Sequence, residues 1–103
     1  MVKLSVIYQG RPHDTAAFDD YYWSTHLPTV ARWPGIRRIS LAMGEPGEEI
    51  YQICDLYFDS TDALGAALGS PERKVSLEDT KSFPLFDGQI KRQVFEVREF
   101  PGR

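Results

Sequence analysis

A ferredoxin-like α+β sandwich, with one four-stranded antiparallel sheet built in the order β-α-β-β-α-β, is the fold class this sequence predicts. Three observations lead there. Four segments carry the period-two or β-branched pattern of strands, the stretches between them place apolar residues at helical spacing behind capping residues, and Gly/Pro-rich turns separate the pieces. At 103 residues the chain is expected to form one small domain, because no internal repeat, low-complexity tract or linker divides it.

The first strand runs from Val2 to Gln9, where Val2, Leu4, Val6 and Tyr8 share a face, and Gly10-Arg11-Pro12 stops it. Asp14 or Thr15 then caps a helix reaching towards Trp33, with Asp19 and Asp20 in its opening turns, where negative charge is favoured. Phe18, Tyr21, Tyr22, Thr25 and Thr29 form its packed side. Pro28 lacks an amide donor and crowds the preceding turn, so the helix bends or breaks near His26, and Pro34-Gly35 ends it. Ile36 to Met43 alternates as a second strand, and Gly44-Glu45-Pro46-Gly47 turns it into a third, Ile50 to Phe58, which is apolar on both faces. Asp59 or Ser60 caps a short helix from Thr61 to Leu68, which Gly69 closes, and Ser70-Pro71 opens another that reaches Asp79. A loop with Phe83, Pro84, Leu85 and Phe86 leads to the last strand, Ile90 to Phe100.

Right-handed crossovers put the helices on one face of the sheet. The other face needs a cover, because Tyr51, Ile53 and Tyr57 occupy one side of the third strand while Cys54, Leu56 and Phe58 occupy the other; the pattern does not say which side meets the helices. A second copy is the simplest cover, so the chain is expected to form a homodimer whose sheets pack face to face as a dimeric α+β barrel. Composition narrows the partners. No run approaches the roughly 20 apolar residues of a membrane span, and the N-terminus lacks the basic start and long apolar segment of a signal peptide. Cys54, alone, forms neither an intrachain disulfide nor a cysteine-based zinc site, which points to the cytoplasm. A net charge of −3 argues against nucleic acid or a membrane surface as partner. RNA-recognition motifs share this element order, but Glu48 and Glu49 stand where such a module needs basic residues at the start of its third strand.

His26 is the residue most able to carry chemistry. It flanks the stripe of Phe18, Tyr22 and Thr29, so its imidazole can reach from the apolar layer into a cavity and exchange protons near neutral pH, with Tyr21 or Tyr22 as hydroxyl partner; a half-buried histidine capping a carbonyl freed by Pro28 is the structural alternative. Tyr8 and Tyr51 on the strands, Trp33 at the helix end, and Phe83 and Phe86 in the last loop are candidates to line a site for a hydrophobic or aromatic small molecule, each also readable as core or dimer packing. Cys54 lacks a basic neighbour and reads as a buried hydrophobe. No metal site or phosphate loop is expected, nor any cofactor, and the pairs Arg37-Arg38, Arg73-Lys74 and Lys91-Arg92 read as solvated faces.

The segment Phe18-Asp19-Asp20-Tyr21-Tyr22-Trp23-Ser24-Thr25-His26-Leu27-Pro28, followed by Trp33-Pro34-Gly35-Ile36, resembles the EthD family: a Phe, a Tyr-Tyr pair and His-Leu-Pro on the first helix, then a Pro-Gly entry to the second strand. That resemblance implies a dimeric α+β barrel. Proteins of this kind include methylmuconolactone isomerases and decarboxylases or dehydratases of polyketide-like aromatics, and the wider superfamily holds cofactor-free monooxygenases; in the isomerase-like relatives the histidine matching His26 is a proposed proton-transfer residue. Two functions follow as expectations. One is a small cofactor-free enzyme of aromatic catabolism, in which His26 shuttles a proton on a cyclic or aromatic substrate. The other is a non-catalytic dimer that binds a hydrophobic ligand and supports an oxygenase pathway. Both require an enclosed, ring-sized cavity at His26.

Overall fold

The computed structural model describes residues 1–102. Strand β1 (Val2–Pro12) is followed by helix α1 (Thr15–Tyr21), a π-helical turn (Tyr22–His26) and helix α2 (Leu27–Val30). Then come β2 (Arg38–Met43), β3 (Ile50–Phe58), α3 (Thr61–Leu68), α4 (Pro71–Asp79), a 3-10 turn (Thr80–Ser82) and β4 (Phe86–Glu96). The strands form one antiparallel sheet in the order β2-β3-β1-β4, the ferredoxin-like arrangement. Its helix-covered face is the one carrying Leu4, Tyr8, Cys54, Leu56 and Phe58, all buried, which decides the question the third strand left open. The helix starts use short polar caps: Asp14 accepts from the Ala17 amide, Ser60 from Ala63 and Ser70 from Arg73. No helix is long and apolar enough to cross a membrane among the described residues.

Three local features differ from the sequence expectation. Strand β1 does not stop at Gly10 but continues to Pro12, and β4 begins at Phe86 rather than Ile90 and ends at Glu96 rather than Phe100. Gly10 and Gly88 stand opposite each other with φ of 129° and 147°. A Cβ on Gly10 would lie 2.0 Å from the Asp87 carbonyl oxygen, and one on Gly88 would lie 1.9 Å from that of Gln9. A residue type that ends strands elsewhere here lets two strands pass at close approach.

The first helix ends at Val30, short of Trp33, and β2 starts at Arg38. The α-helix is interrupted before Pro28, near His26 as expected, and the interruption is a wider turn: the Leu27 amide reaches back five residues to the Tyr22 carbonyl. This puts Phe18, Tyr22, His26 and Val30, spaced by four, on one buried line. In an unbroken α-helix of about 3.6 residues per turn such a line drifts round the axis, and the wider turn takes up the drift.

A register shift between β1 and β3 leaves Tyr51 as an extra residue in the ladder. Its ring is consequently on the helix side, against Phe18 and Phe86, with its hydroxyl donating to Asp19 at 2.6 Å, and not beside Ile53 and Tyr57 as strict alternation implied. The uncovered face carries Lys3, Ser5, Ile7, Ile53, Asp55, Tyr57 and Phe95. There Asp55 pairs with Lys3 at 3.1 Å and accepts from the Ser5 hydroxyl.

Candidate functional site

His26 closes the π turn, 6% exposed, and its Nδ1 lies 2.9 Å from Oδ2 of Asp79, the last residue of α4. The other Asp79 oxygen accepts from the Tyr21 hydroxyl at 2.6 Å. A carboxylate at Nδ1 fixes the proton there and leaves Nε2 as an acceptor, an assignment made from the hydrogen bond itself. The imidazole is clamped by the Tyr22 ring, 5.2 Å between centroids, and by the edge of Phe83 at 4.6 Å. A relay fixes the backbone beneath it: Trp33 Nε1 donates to Ser76 at 2.9 Å, Ser76 and Thr29 share a hydrogen bond of 2.8 Å, and Thr29 donates to the His26 carbonyl at 2.7 Å.

Burial holds the His26 pKa below its ordinary 6.5, outweighing the upward pull of Asp79, and the charge of Arg92 adds to the lowering. At neutral pH the imidazole is therefore uncharged and basic at Nε2. Burial also pushes the Tyr8 hydroxyl up to about 12, the Cys54 thiol up to about 11, and the Tyr22 hydroxyl well above its ordinary 10. These three groups stay protonated, so none of them is a nucleophile or a base beside His26.

His26 opens onto a cavity of about 40 Å³ between the π turn, α4 and the sheet, at the base of a recess of about 470 Å³ that includes its mouth. Among the candidates, Tyr8, Tyr22, His26 and Trp33 line it. Tyr51, Phe83 and Phe86 do not. Phe83 sits behind the imidazole, while Tyr51 and Phe86 join Phe18 in an aromatic cluster further along the sheet. The ring-sized enclosed cavity is also corrected: 40 Å³ admits water, whereas a dry cavity of about 150 Å³ is what holds benzene.

Asp79, Arg73 and Arg92 are side chains of the candidate site that sequence reasoning missed. Asp79 comes from another helix, 53 positions along the chain, so no spacing on the first helix points to it. The available signal was Glu78-Asp79 at the end of α4, where negative charge opposes the helix dipole and needs another reason to be there. Arg73 and Arg92 both line the recess, Arg73 half-buried and Arg92 exposed as a solvated strand residue would be. Arg92 pairs with Val6 and so shares the helix-side face of the sheet, and Arg73 is half-buried on the first turns of α4.

Fold and site together define a small ferredoxin-like α+β protein with a histidine–aspartate pair set between its first helix and its sheet. Residues 11–84 match the model of the EthD domain, and the chain belongs to the EthD family. It is 33% identical over 88 residues, 81% of this chain and 84% of the relative, to an uncharacterized 11.0 kDa protein of the thcB-thcC intergenic region of Rhodococcus erythropolis. The crystal structure of an EthD family protein from Bacillus halodurans superposes with a TM-score of 0.82 at 30% identity, covering 95% of this chain and 99% of that one. SnoaB, a cofactor-independent oxygenase from Streptomyces nogalater, shares the fold with a TM-score of 0.66 at 19% identity, covering 96% and 94%.

Proposed function

We propose that this protein is a small cofactor-independent enzyme that moves a proton on a cyclic or aromatic substrate, with His26 as the base and then the acid. The observation that carries this reading is the Asp79–His26 pair, in which the carboxylate holds Nδ1 and leaves Nε2 as the free acceptor of a histidine that lines a recess with Arg73 and Arg92. Because the cavity at His26 is water-sized and not the enclosed, ring-sized one this function was expected to need, the substrate ring is placed in the mouth of the recess, with only its acidic C–H or O–H edge entering the narrow cavity. Nε2 takes that proton, Asp79 stabilises the imidazolium, and the two guanidinium groups face the charge developing on the substrate oxygen. Tyr22, Tyr8 and Trp33 wall the recess. Isomerisation, dehydration and attack of oxygen on an ionised substrate all begin with this step, while decarboxylation ends with its reverse. That SnoaB is a cofactor-independent oxygenase supports a chemistry that side chains alone can start.

The active form is read as a cytoplasmic homodimer. A second copy covers the open sheet face, where Ile7, Ile53, Tyr57 and Phe95 surround the Lys3–Asp55 pair. The test is turnover and binding by wild type and His26→Ala on a panel of lactones and oxidisable aromatics. A folded variant that binds a substrate of the wild type without converting it supports the proposal. Normal turnover by the variant overturns it, and binding without turnover by the wild type across the panel marks a ligand carrier instead.

A further inference from the structure

On the other side of the first helix from His26, a second cavity of about 260 Å³ is lined by Asp19, Tyr22, Trp23, Leu41, Met43 and Gln52. Gln52, on β3, is 1% exposed, and neither its Nε2 nor its Oε1 has a hydrogen-bond partner among the described residues. A buried amide with neither a donor nor an acceptor satisfied is uncommon in a folded protein, because desolvation is paid without return. The groups beside it are held by few neighbours. Trp23 is 67% exposed and Met43 is 45% exposed, both side chains being large and apolar in positions where solvent contact gains nothing.

We propose that this cavity is a binding site for a neutral, flat ring compound that presents a hydrogen-bond donor and an acceptor side by side, as a lactam does. Rotation of Trp23 admits the ring, which then lies between the indole and Leu41. Its amide edge meets Gln52, Nε2 donating to the ligand carbonyl and Oε1 accepting from the ligand N–H. The Asp19 carboxylate, already holding the Tyr51 hydroxyl, stands at the cavity wall and disfavours an anion. The volume exceeds the roughly 150 Å³ that takes one benzene, so two fused rings fit. This site shares only Tyr22 with the His26 recess and does not depend on the chemistry proposed there.

The probe is 2-quinolone, titrated into the ¹⁵N-labelled full chain and followed by NMR, with naphthalene as the ring that lacks the amide edge. The expected result is saturable shifts of the Gln52 side-chain amide and the Trp23 indole N–H, and binding of naphthalene weaker by about tenfold or more, the worth of an unpaired buried polar group. Gln52→Leu and, independently of any effect on folding, the exposed Trp23→Ala each weaken 2-quinolone binding by a similar factor, whereas His26→Ala leaves it unchanged. Equal binding of the two rings, insensitivity to Gln52→Leu and Trp23→Ala, or no saturable shift at either group overturns the proposal.

Discussion

The Asp79 carboxylate lies 2.9 Å from Nδ1 of His26 and joins residues 53 positions apart in the chain. It is one end of α4 held against the close of the π turn, so the orientation of the imidazole depends on the packing of two helices. Substituting Asp79→Asn keeps the shape but removes the charge that raises the His26 pKa and lets the amide select the other tautomer. Turnover is expected to fall by roughly ten- to a hundredfold, within the range a general base contributes, while the acid limb of the pH–rate profile moves to lower pH. An unchanged rate and an unchanged limb would show that Asp79 does not position His26.

Stability should carry the signature of His26 as well. Its folded pKa is depressed below 6.5, so the unfolded chain binds the proton more readily; the contribution is present above pH 6.5 and is lost as pH falls through the lower folded value. The slope from one such group reaches at most about 1.4 kcal/mol per pH unit. Urea unfolding of wild type and His26→Gln between pH 7.5 and pH 5 measures it. The wild type should lose stability faster on acidification, and parallel curves would remove the assignment.

The facing glycines give a stability prediction that is independent of the site. Gly10→Ala and Gly88→Ala each place a methyl group within 2.0 Å of a backbone oxygen, at φ values that side chains rarely adopt. Each should destabilise the protein by about 2 kcal/mol or more in chemical denaturation, well above the cost of a surface substitution. Gly47→Ala is the comparison: its φ is also positive, at 90°, but nothing lies within 4 Å, so it should cost clearly less.

Assembly is tested on the open sheet face. Ile53→Asp puts a second carboxylate beside Asp55 in the centre of that face, which repels a copy and its own neighbour. Sedimentation should show a micromolar dimer for the wild type and a monomer for the variant, with circular dichroism unchanged. A wild type that sediments as a monomer removes the paired-sheet assembly.

Much of the architecture was legible because local rules govern it. Period-two alternation in β1, the caps at Asp14, Ser60 and Ser70, and the Pro-Gly entry to β2 act within a few residues of themselves, and they gave the element order directly. Boundaries failed where a partner strand changed the meaning of a residue, as Gly88 did for Gly10. Part of the candidate site was legible too, since Tyr22 and His26 lie on one short segment one helical turn apart. Arg92 was not, because a basic residue in a strand looks solvated until its pairing with Val6 shows which face it shares.

By itself the sequence determined a ferredoxin-like α+β chain whose first helix carries an interrupted aromatic stripe ending in a histidine, because hydrophobic period, capping and proline sterics are local. Only the tertiary structure decided that this histidine is buried against an aspartate with its pKa held low, and that its cavity is water-sized. It also decided that Tyr51 turns to the helix side and that a glutamine amide is buried without a partner. Those properties depend on which groups from distant segments come within hydrogen-bond reach and how much water they exclude, and neither quantity exists until the chain has packed.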